Sequence, residues 1–475
     1  MAAMDEAHLL NEFANEIRNW CNVNPRNKIE KSLILDLQFA TSRPITEVLF
    51  LDNLSEIDTF LNSTKDLNVK FDVTLMLAKE YEDMFNGINT LLTQWHENFN
   101  GSLVFHISYE SKEFHHSSFF TQLIDTVSSS KIKKFIFRSI YLHDSDYFSI
   151  DSLFRYSVST VVDLTLSQVS ISNFQNMPSL KRLNLWSCKL IGHDVFNGIS
   201  EFCGELSLSY CKYDDKYGSI TLPTSIGLLH IIVYNPNIAD LPKFSNLGKL
   251  QRLLSVKAEI KAHGNDAFTI KEIEDETMIR TISWLERFVA QLPSTVESLF
   301  LIIPGPEENI SGNAIFHPEK LRFDNLTQLQ FLYLKIDSDL LSTIPFNFSN
   351  LPDSLQELQM VMPSLFSGTL PKSLQSLHID IRDCKKFKEY EYETFVDFWN
   401  QFIAPLENLL YFSAINKHTQ TIDSSALNFP PHLQLFDIAS IGGVKRFRLP
   451  APPRYKIFKN RKVKNNSFFY FFRMA

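Results

Sequence analysis

One apolar spacing recurs along most of this chain and limits the folds that the chain can adopt. The spacing is apolar-x-x-apolar-x-apolar, and its clearest copy, Leu180-Lys-Arg-Leu183-Asn-Leu185, continues to Cys188 and Leu190. Other copies begin at Ile132, Val161, Cys203, Ile226, Leu250, Val296, Leu329, Leu355, Leu374, Leu406 and Leu433. Most steps between copies fall in or near roughly 20–29 residues, the length of a repeating unit built around one short strand.

A proline phrase precedes several of these copies at a fixed distance. Leu351-Pro-Asp-Ser-Leu355 returns 19 residues later as Leu370-Pro-Lys-Ser-Leu374, and related phrases begin at Leu222, Leu292 and Phe429. Proline fixes φ and has no backbone N–H, so it suits an extended segment that needs no ladder hydrogen bond. The phrase therefore predicts the segment that leads the chain into each strand.

Alternation within each copy predicts a short strand with one face in the core. Leu183 and Leu185 would point inward, and the strands would stack in parallel because one unit cannot bury its apolar face alone. Cys188 and Cys211 lie where the chain turns off the strand. We assign them a structural role, because no C-x-x-C motif or paired histidine accompanies them. In the unit that begins at Leu250, the spacing puts Ser255 at a core position.

The pattern resembles that of leucine-rich repeat proteins over about Ile132 to Ala439. The Leu-Pro-x-Ser-Leu-x-x-Leu-x-Leu variant is similar to repeats of fungal leucine-rich and F-box/leucine-rich proteins and to slime-mould FNIP-type repeats. The resemblance implies an α/β fold, namely a curved leucine-rich repeat solenoid with a parallel concave sheet and an irregular or helical convex side. It also implies that protein partners bind on the concave face.

The chain outside the regular units is divided as follows. We predict an N-terminal helical cap at residues 1–30 and either degenerate repeats or an N-terminal subdomain at residues 31–130. The repeat array covers residues 131–444, with an insertion near 259–290 whose end, from Ile282 to Val289, has helical spacing. A second predicted helix, Glu389–Ile403, carries an aromatic stripe that either packs in the core or forms a partner groove.

Residues 445–475 form a basic aromatic tail with ten Lys/Arg and no Asp/Glu. The preceding 444 residues carry 36 basic and 54 acidic side chains, a net charge of −18. The tail is interpreted as solvated, as paired with the acidic body, or as a binder of nucleic acid or anionic lipid. The acidic body argues against an extended nucleic-acid surface, so nucleic acid is not an expected partner.

Residues that alternate with the core pair would face outward and meet a protein partner. Tryptophan, tyrosine and arginine are enriched among residues that dominate interface energies, so Trp186 and Tyr333 are the expected anchors. For each residue the alternative is an exposed strand position that meets no partner. The predicted partner-binding set is Arg182, Asn184, Trp186, His230, Phe331, Tyr333, Lys335, Gln359, His378 and Asp380.

These features predict a non-enzymatic protein-protein interaction module without catalytic residues, metal or cofactor. Neither a phosphate-binding glycine motif nor a nucleophile elbow occurs in the sequence. The resemblance implies an alternative, a substrate-recognition subunit of an SCF-type ubiquitin ligase with Skp1 and cullin partners, although no Leu-Pro-x-Glu-Ile-like F-box opening is found near the N-terminus. An enzyme whose site is not visible in the sequence is the other alternative.

Hydropathy and cysteine content bear on where the protein works. No run reaches the roughly 18 apolar residues of a membrane span, and the first residues lack the apolar core of a signal peptide. Five cysteines are too few for a disulfide framework in 475 residues. We therefore expect a cytoplasmic or nuclear protein without a membrane span.

Overall fold

The structure is a computed structural model, and it divides into two compact units, Met1–Ala258 (unit 1) and Glu259–Ala475 (unit 2). The fold is α/β, with a large parallel sheet and few helices in the part of the chain that is described. The described residues are 31–35, 69–77, 103–109, 134–139, 148–149, 161–174, 177–214, 218–234, 241–261, 282–303, 320–336, 346–361, 366–380, 396–416 and 427–440.

Unit 1 is built on long-sheet strands that follow one another in chain order, with short strands between them. The long-sheet strands are β1 (Lys31–Leu35), β2 (Val69–Leu77), β3 (Leu103–Tyr109), β4 (Lys134–Ser139), β6 (Asp163–Ser167), β8 (Arg182–Trp186), β10 (Glu205–Ser209), β12 (Leu228–Tyr234) and β13 (Ser255–Lys261), which begins in this unit. A second parallel sheet has the order β11-β9-β7-β5, from β5 (Phe148–Ser149), β7 (Val169–Ile171), β9 (Lys189–Leu190) and β11 (Lys212–Tyr213). A 3₁₀ turn, Leu247–Lys249, precedes β13.

Unit 2 repeats this arrangement. Its long-sheet strands are β14 (Ser298–Ile303), β15 (Phe331–Ile336), β17 (Glu357–Val361), β19 (Ser376–Asp380), β20 (Tyr411–Asn416) and β21 (Leu435–Ser440), parallel and in chain order. A small sheet pairs β16 (Phe346–Asn347) with β18 (Phe366–Ser367). Helical structure comprises α1 (residues 282–290), a 3₁₀ turn (Phe348–Asn350) and α2 (residues 396–403), which ends as the π-helix Trp399–Ile403.

Register places the apolar residues of neighbouring strands side by side. Leu183 of β8 pairs with Leu164 of β6 and with Leu206 of β10, and Leu206 pairs with Leu229 of β12. Each of these leucines is at most 1% exposed. Burying a leucine side chain stabilises a fold by about 1.5–3 kcal/mol relative to leaving it exposed, so this column contributes strongly to the stability of unit 1.

A left-handed residue ends three successive strands of unit 1. Gln168, Ser187 and Tyr210 have φ of 57°, 50° and 56° and directly follow β6, β8 and β10. Their N–H groups donate to Trp186, Ser209 and Ile232 at 2.9, 2.7 and 2.8 Å, so the ladder continues through the bend. The positive φ turns the chain away from the long sheet, and the short strands β7, β9 and β11 begin one or two residues later.

The proline phrases all form the same turn. In each phrase the proline carbonyl accepts a hydrogen bond from the N–H three residues later, at N···O distances of 3.1–3.4 Å. The pairs are Pro223–Ile226, Pro293–Val296, Pro352–Leu355, Pro371–Leu374 and Pro430–Leu433.

The serine of the phrase ties this turn to the preceding strand unit. At distances of 2.8, 2.8 and 2.6 Å, serine hydroxyls donate to the carbonyl of the first apolar residue of the unit before: Ser225 to Cys203, Ser354 to Leu329 and Ser373 to Leu355. A net contribution of about 0.5–1.5 kcal/mol is typical of such a hydrogen bond. The Leu-Pro-x-Ser phrase is therefore both a turn and a link between neighbouring units.

The predicted register is wrong by three residues in the unit assigned to begin at Leu250. The N–H groups of Leu254 and Ser255 donate to the carbonyl of Gly227, which makes Leu253 the first apolar residue of this unit. Val256 and Ala258 are 0% and 1% exposed and form the core pair, whereas Ser255 is not a core residue. Leu250 closes the preceding turn through its N–H to the Leu247 carbonyl.

The same correction applies to the unit assigned to begin at Leu406. In β20, Phe412 pairs with Leu377 and Ala414 pairs with Ile379, so Phe412 and Ala414 are the core pair. Tyr411, which the predicted register would have buried, is 45% exposed. The turn and the strand carry apolar residues three positions apart, so the apolar spacing alone is compatible with both registers. Only the pairing with β19 distinguishes the two registers.

Both helices of unit 2 pack against the core. The helical spacing predicted at the end of the insertion is confirmed by α1, whose buried face includes Ile282, Leu285, Phe288 and Val289. In α2, Trp399 is fully buried, and its ring lies 4.9–5.4 Å from the rings of Phe412, Phe429 and Phe436. In the described part of the aromatic stripe Trp399 and Phe402 are core residues and Phe398 is half-buried, whereas Tyr392 and Phe395 lie outside the described residues.

Several predicted segments fall outside the described part of the chain. These are the N-terminal cap at 1–30, most of the insertion near 259–290 and the basic tail at 445–475. Within 31–130 the structure places β1, β2 and β3, each parallel to the next.

Candidate functional site

The outward face of the sheet consists of the residues that alternate with the buried ones. In β8, for example, Arg182, Asn184 and Trp186 are exposed, and Leu183 and Leu185 are buried. Because the strands are in register, outward residues form rows across the sheet. The unit 1 rows are Asp163, Arg182, Glu205 and Leu228; Thr165, Asn184, Ser207 and His230; and Ser167, Trp186, Ser209 and Ile232. In the last row Ser167 and Ser209 are buried, so Trp186 is its exposed member.

The first row of unit 1 carries alternating charge. A nitrogen of Arg182 lies 3.1 Å from a carboxylate oxygen of Asp163, with side chains 55% and 13% exposed. Glu205 is exposed on the other side of Arg182 in the row. Solvated pairs of this kind contribute about 0–1 kcal/mol, so the pair orients Arg182 more than it stabilises the fold.

Trp186 is the exposed aromatic residue of unit 1 that the sequence selected as an anchor. Its ring is 45% exposed and meets the ring of Tyr210 edge-on, with centroids 5.9 Å apart and planes at 89°. Tyr210 is the left-handed residue after β10, so the bend of the chain supplies one wall for the indole. A T-shaped aromatic contact of this geometry is favourable and restricts the rotation of the indole.

The remaining predicted residues of unit 1 lie on the middle row. Asn184 is exposed and His230 is half-buried, with Ser207 between them in register. Leu228, at the start of the same strand as His230, is 41% exposed. Unit 1 therefore presents a charged row, a row of small polar groups and a row with one large aromatic ring.

Unit 2 presents an aromatic cluster on its outward face, formed by Phe300 of β14 and by Phe331 and Tyr333 of β15. The Phe300 ring centroid lies 4.8 Å from that of Phe331 and 6.1 Å from that of Tyr333, and all three side chains are half-buried. These separations are within the range of favourable aromatic pairs. Phe331 and Tyr333 were predicted, and the structure brings them together around a third ring.

Phe300 was missed in the sequence, although a signal for it exists. The offsets that select Phe331 and Tyr333 from Leu329 select Ser298, Phe300 and Ile302 when counted from Val296. Tyr411 was missed for another reason, because the wrong register placed it in the core.

Polar residues continue the unit 2 rows beyond the aromatic cluster. Lys335 is half-buried at the end of β15, and Gln359 follows Tyr333 in the middle row. The amide nitrogen of Gln359 donates to Glu357 at 2.8 Å, and His378 is the next residue of that row. These side chains place donors and acceptors beside an apolar surface.

Asp380 differs from the other predicted partner-binding residues. It occupies the outward offset at the end of β19, paired with Val361 and Ile415, but only 4% of it is exposed. Asp380 therefore offers a partner far less surface than the other predicted residues do.

Cys188 and Cys211 are buried where the chain leaves the long sheet. Their thiols donate to the carbonyls of Leu166 and Leu185, one unit earlier, at 3.4 and 3.5 Å. Burial raises the pKa of Cys188 to about 12 and raises the pKa of Cys211 well above its ordinary value. Both thiols are buried and hydrogen-bonded to the preceding unit, which is in keeping with the predicted structural role.

Two further properties concern only the described part of the chain. It holds no group of three or more His, Cys, Asp or Glu side chains that could bind a metal ion. Among its helices, none combines the length and the apolar character needed to cross a membrane.

No protein-family model matches the sequence, and no curated protein matches it either.

Proposed function

We propose that this chain is a protein-binding module of the leucine-rich repeat type. In this proposal the long parallel sheet is the concave face of a curved solenoid, and its outward rows contact the partner. In-register leucine columns, the recurrent proline turn and the serine links between neighbouring units support it, because all three repeat from strand to strand. A stack of this kind offers a continuous row-by-row surface.

The aromatic cluster of Phe300, Phe331 and Tyr333 is the observation that carries the proposal. Aromatic residues are enriched among the side chains that dominate interface energies. Rings that already contact one another lose little freedom when a partner covers them, so more of the interaction energy appears as affinity. The rings occupy outward positions, opposite the buried leucines of the same strands.

The neighbours of the cluster fit the composition of a binding surface. Interfaces combine an apolar centre with a polar rim. Polar side chains surround the rings within two strands of the cluster: Lys335, Gln359 and His378. We infer that the partner covers the rings with apolar side chains and places polar groups of its own around them.

Affinity capture with a matched pair of variants tests this function. The intact chain and a Phe300→Ser/Tyr333→Ser variant serve as baits, and Phe202→Ser, which alters a 74% exposed ring in unit 1, is the control. A protein captured by the intact chain and the control but not by the double variant is then purified and titrated. We expect the Kd of the double variant to rise by about 30-fold or more, the size of a hot-spot effect.

An unchanged Kd for every captured protein, with the double variant melting within a few degrees of the intact chain, contradicts the assignment of the cluster as the binding surface. Melting curves are part of the comparison because the rings are half-buried.

A further inference from the structure

Charge is distributed unevenly along unit 2. Residues 259–444 contain 25 acidic and 13 basic side chains, a net charge of −12. Residues 445–475 contain ten basic and no acidic side chains, together with eight aromatic ones. Five of these aromatic residues are consecutive, Phe468-Phe-Tyr-Phe-Phe472. A cationic aromatic segment is thus attached to an acidic body that presents an aromatic cluster.

We propose that residues 445–475 dock in cis on the outward face of unit 2, with the Phe468–Phe472 run against Phe300, Phe331 and Tyr333. The proposal rests on the proposed function for the identity of the surface and adds its occupant. The segment and the partner would compete for the same rings.

Aromatic chemistry supports this pairing. Phe300, Phe331 and Tyr333 are half-buried, so each ring keeps surface for a further aromatic contact. An aromatic pair contributes about 0.5–1.5 kcal/mol beyond the burial of its area. A run of five aromatic residues supplies at least two side chains to the same face of an extended segment, because alternate side chains point the same way.

Electrostatics favours the same arrangement. Opposite net charges of −12 and +10 on the two parts of unit 2 attract over about 10 Å at 0.1 M salt. Glu357 lies next to Phe331 in the first outward row, on the side of the cluster away from β14. We expect Arg473, which directly follows the aromatic run, to lie towards Glu357 rather than towards the cationic Lys335 at the other end of β15.

The length of the segment matches the distance that it must cover. Between β21 and β14 the sheet order has five steps, and at about 4.8 Å a step they span about 24 Å. Ser440 and Phe468 are separated by 28 residues, for which a random coil has a root-mean-square end-to-end distance of about 30 Å. The effective concentration of a tethered segment is greatest when the root-mean-square length of the tether matches the distance that it spans. For a short flexible tether this concentration is about millimolar.

Site-specific photocrosslinking in the full chain tests this docking without any partner. The photoreactive residue p-benzoylphenylalanine replaces Tyr470, the sample is irradiated in about 50 mM NaCl, where attraction is weakly screened, and crosslinked peptides are identified by mass spectrometry. We expect crosslinks to peptides that contain β14 or β15. Crosslinks that map only elsewhere, or an absence of crosslinks, would overturn the proposal.

Three comparisons sharpen the test. Phe300→Ser/Tyr333→Ser should lower the crosslink yield by about fivefold or more, whereas Phe202→Ser should leave it unchanged. Raising NaCl to about 0.5 M should also lower the yield, because screening weakens the attraction. A mixture of ¹⁴N- and ¹⁵N-labelled chains separates contacts within one chain from contacts between two. Crosslinks that join the two labels would overturn docking in cis.

The two proposals fail separately. Crosslinks to β14 or β15 with no partner that depends on Phe300 and Tyr333 leave the docking intact and contradict the proposed function. A partner whose binding requires Phe300 and Tyr333, together with no crosslink to β14 or β15, supports the proposed function and contradicts the docking.

Discussion

Gly368 shows how one position constrains a turn. Its φ is +79°, a region that side chains with a Cβ rarely adopt. A Cβ at this position would also overlap the side-chain oxygen of Asn347 and would lie 2.5 Å from the hydroxyl oxygen of Ser349. Asn347 accepts a hydrogen bond from the Ser349 N–H, and the Ser349 hydroxyl accepts one from Thr369. Neither group can move away without losing a hydrogen bond.

We therefore expect Gly368→Ala to lower the free energy of unfolding by about 1–3 kcal/mol, through strain and displaced hydrogen bonds. Gly204→Ala is the matched control, since nothing lies within 4 Å of the position its Cβ would take. The control should change stability by less than about 1 kcal/mol. Chemical denaturation of both variants measures the difference, and equal midpoints would contradict the role of Gly368.

At the scale of the element, the decisive property is the register of each strand in the sheet. The spacing of apolar residues predicted the strands that carry the leucine columns. The proline phrases lead into those strands as predicted, but they form hydrogen-bonded turns rather than the extended segments that the sequence indicated. The apolar spacing failed at β13 and β20, where apolar residues spaced by three lead from the turn into the strand. In β20 the true core pair includes Ala414, a weaker apolar signal than the leucines that precede it.

Adjacent substitutions in β20 distinguish the two registers. Phe412→Ala should cost about 3–5 kcal/mol of stability, because it removes a fully buried ring that contacts Trp399 and Phe436. Tyr411→Ala, at the 45% exposed neighbour, should cost less than about 1 kcal/mol. Denaturation curves give both values. If Tyr411→Ala proved the more damaging change, the sequence-based register would be right and the described pairing wrong.

On the scale of the whole molecule, the order of the long sheet matters most. Within each unit the strands of that sheet follow one another in chain order, so the sheet pairs strands that are near neighbours in the sequence. Stability in such an architecture is approximately a sum of units and the interfaces between neighbours. A destabilising substitution in one strand should therefore weaken that strand and the strands next to it, and leave distant strands unchanged.

Amide hydrogen exchange of the Phe412→Ala variant measures this spread. We expect faster exchange in β19, β20 and β21, and unchanged exchange in β6, β8 and β10, because opening is local where contacts are local. Tyr411→Ala should leave exchange unchanged throughout the described strands. A uniform acceleration in every strand would instead mean that the chain opens as one cooperative whole.

The proposed binding surface was partly accessible from the sequence. Trp186, Phe331 and Tyr333 follow from alternation alone, since an outward offset is a local property of a strand. Their surroundings do not follow, because the ring of Tyr210 reaches Trp186 through a left-handed residue that the sequence does not mark. The burial of Asp380 likewise depends on neighbours in other strands.

Local chemistry accounts for what could be predicted from the sequence: period-two apolar residues form strands, and prolines precede those strands. These signals act over a few residues, where steric and solvation preferences are strong. Pairing between the strands of the sheet determined which distant residues come together. Phe300 and Phe331 are 31 residues apart in the chain, and their rings come within 4.8 Å only because β14 and β15 pair in one particular register. The register depends on the free energy of the paired strands together, and the sequence of one unit does not determine that free energy.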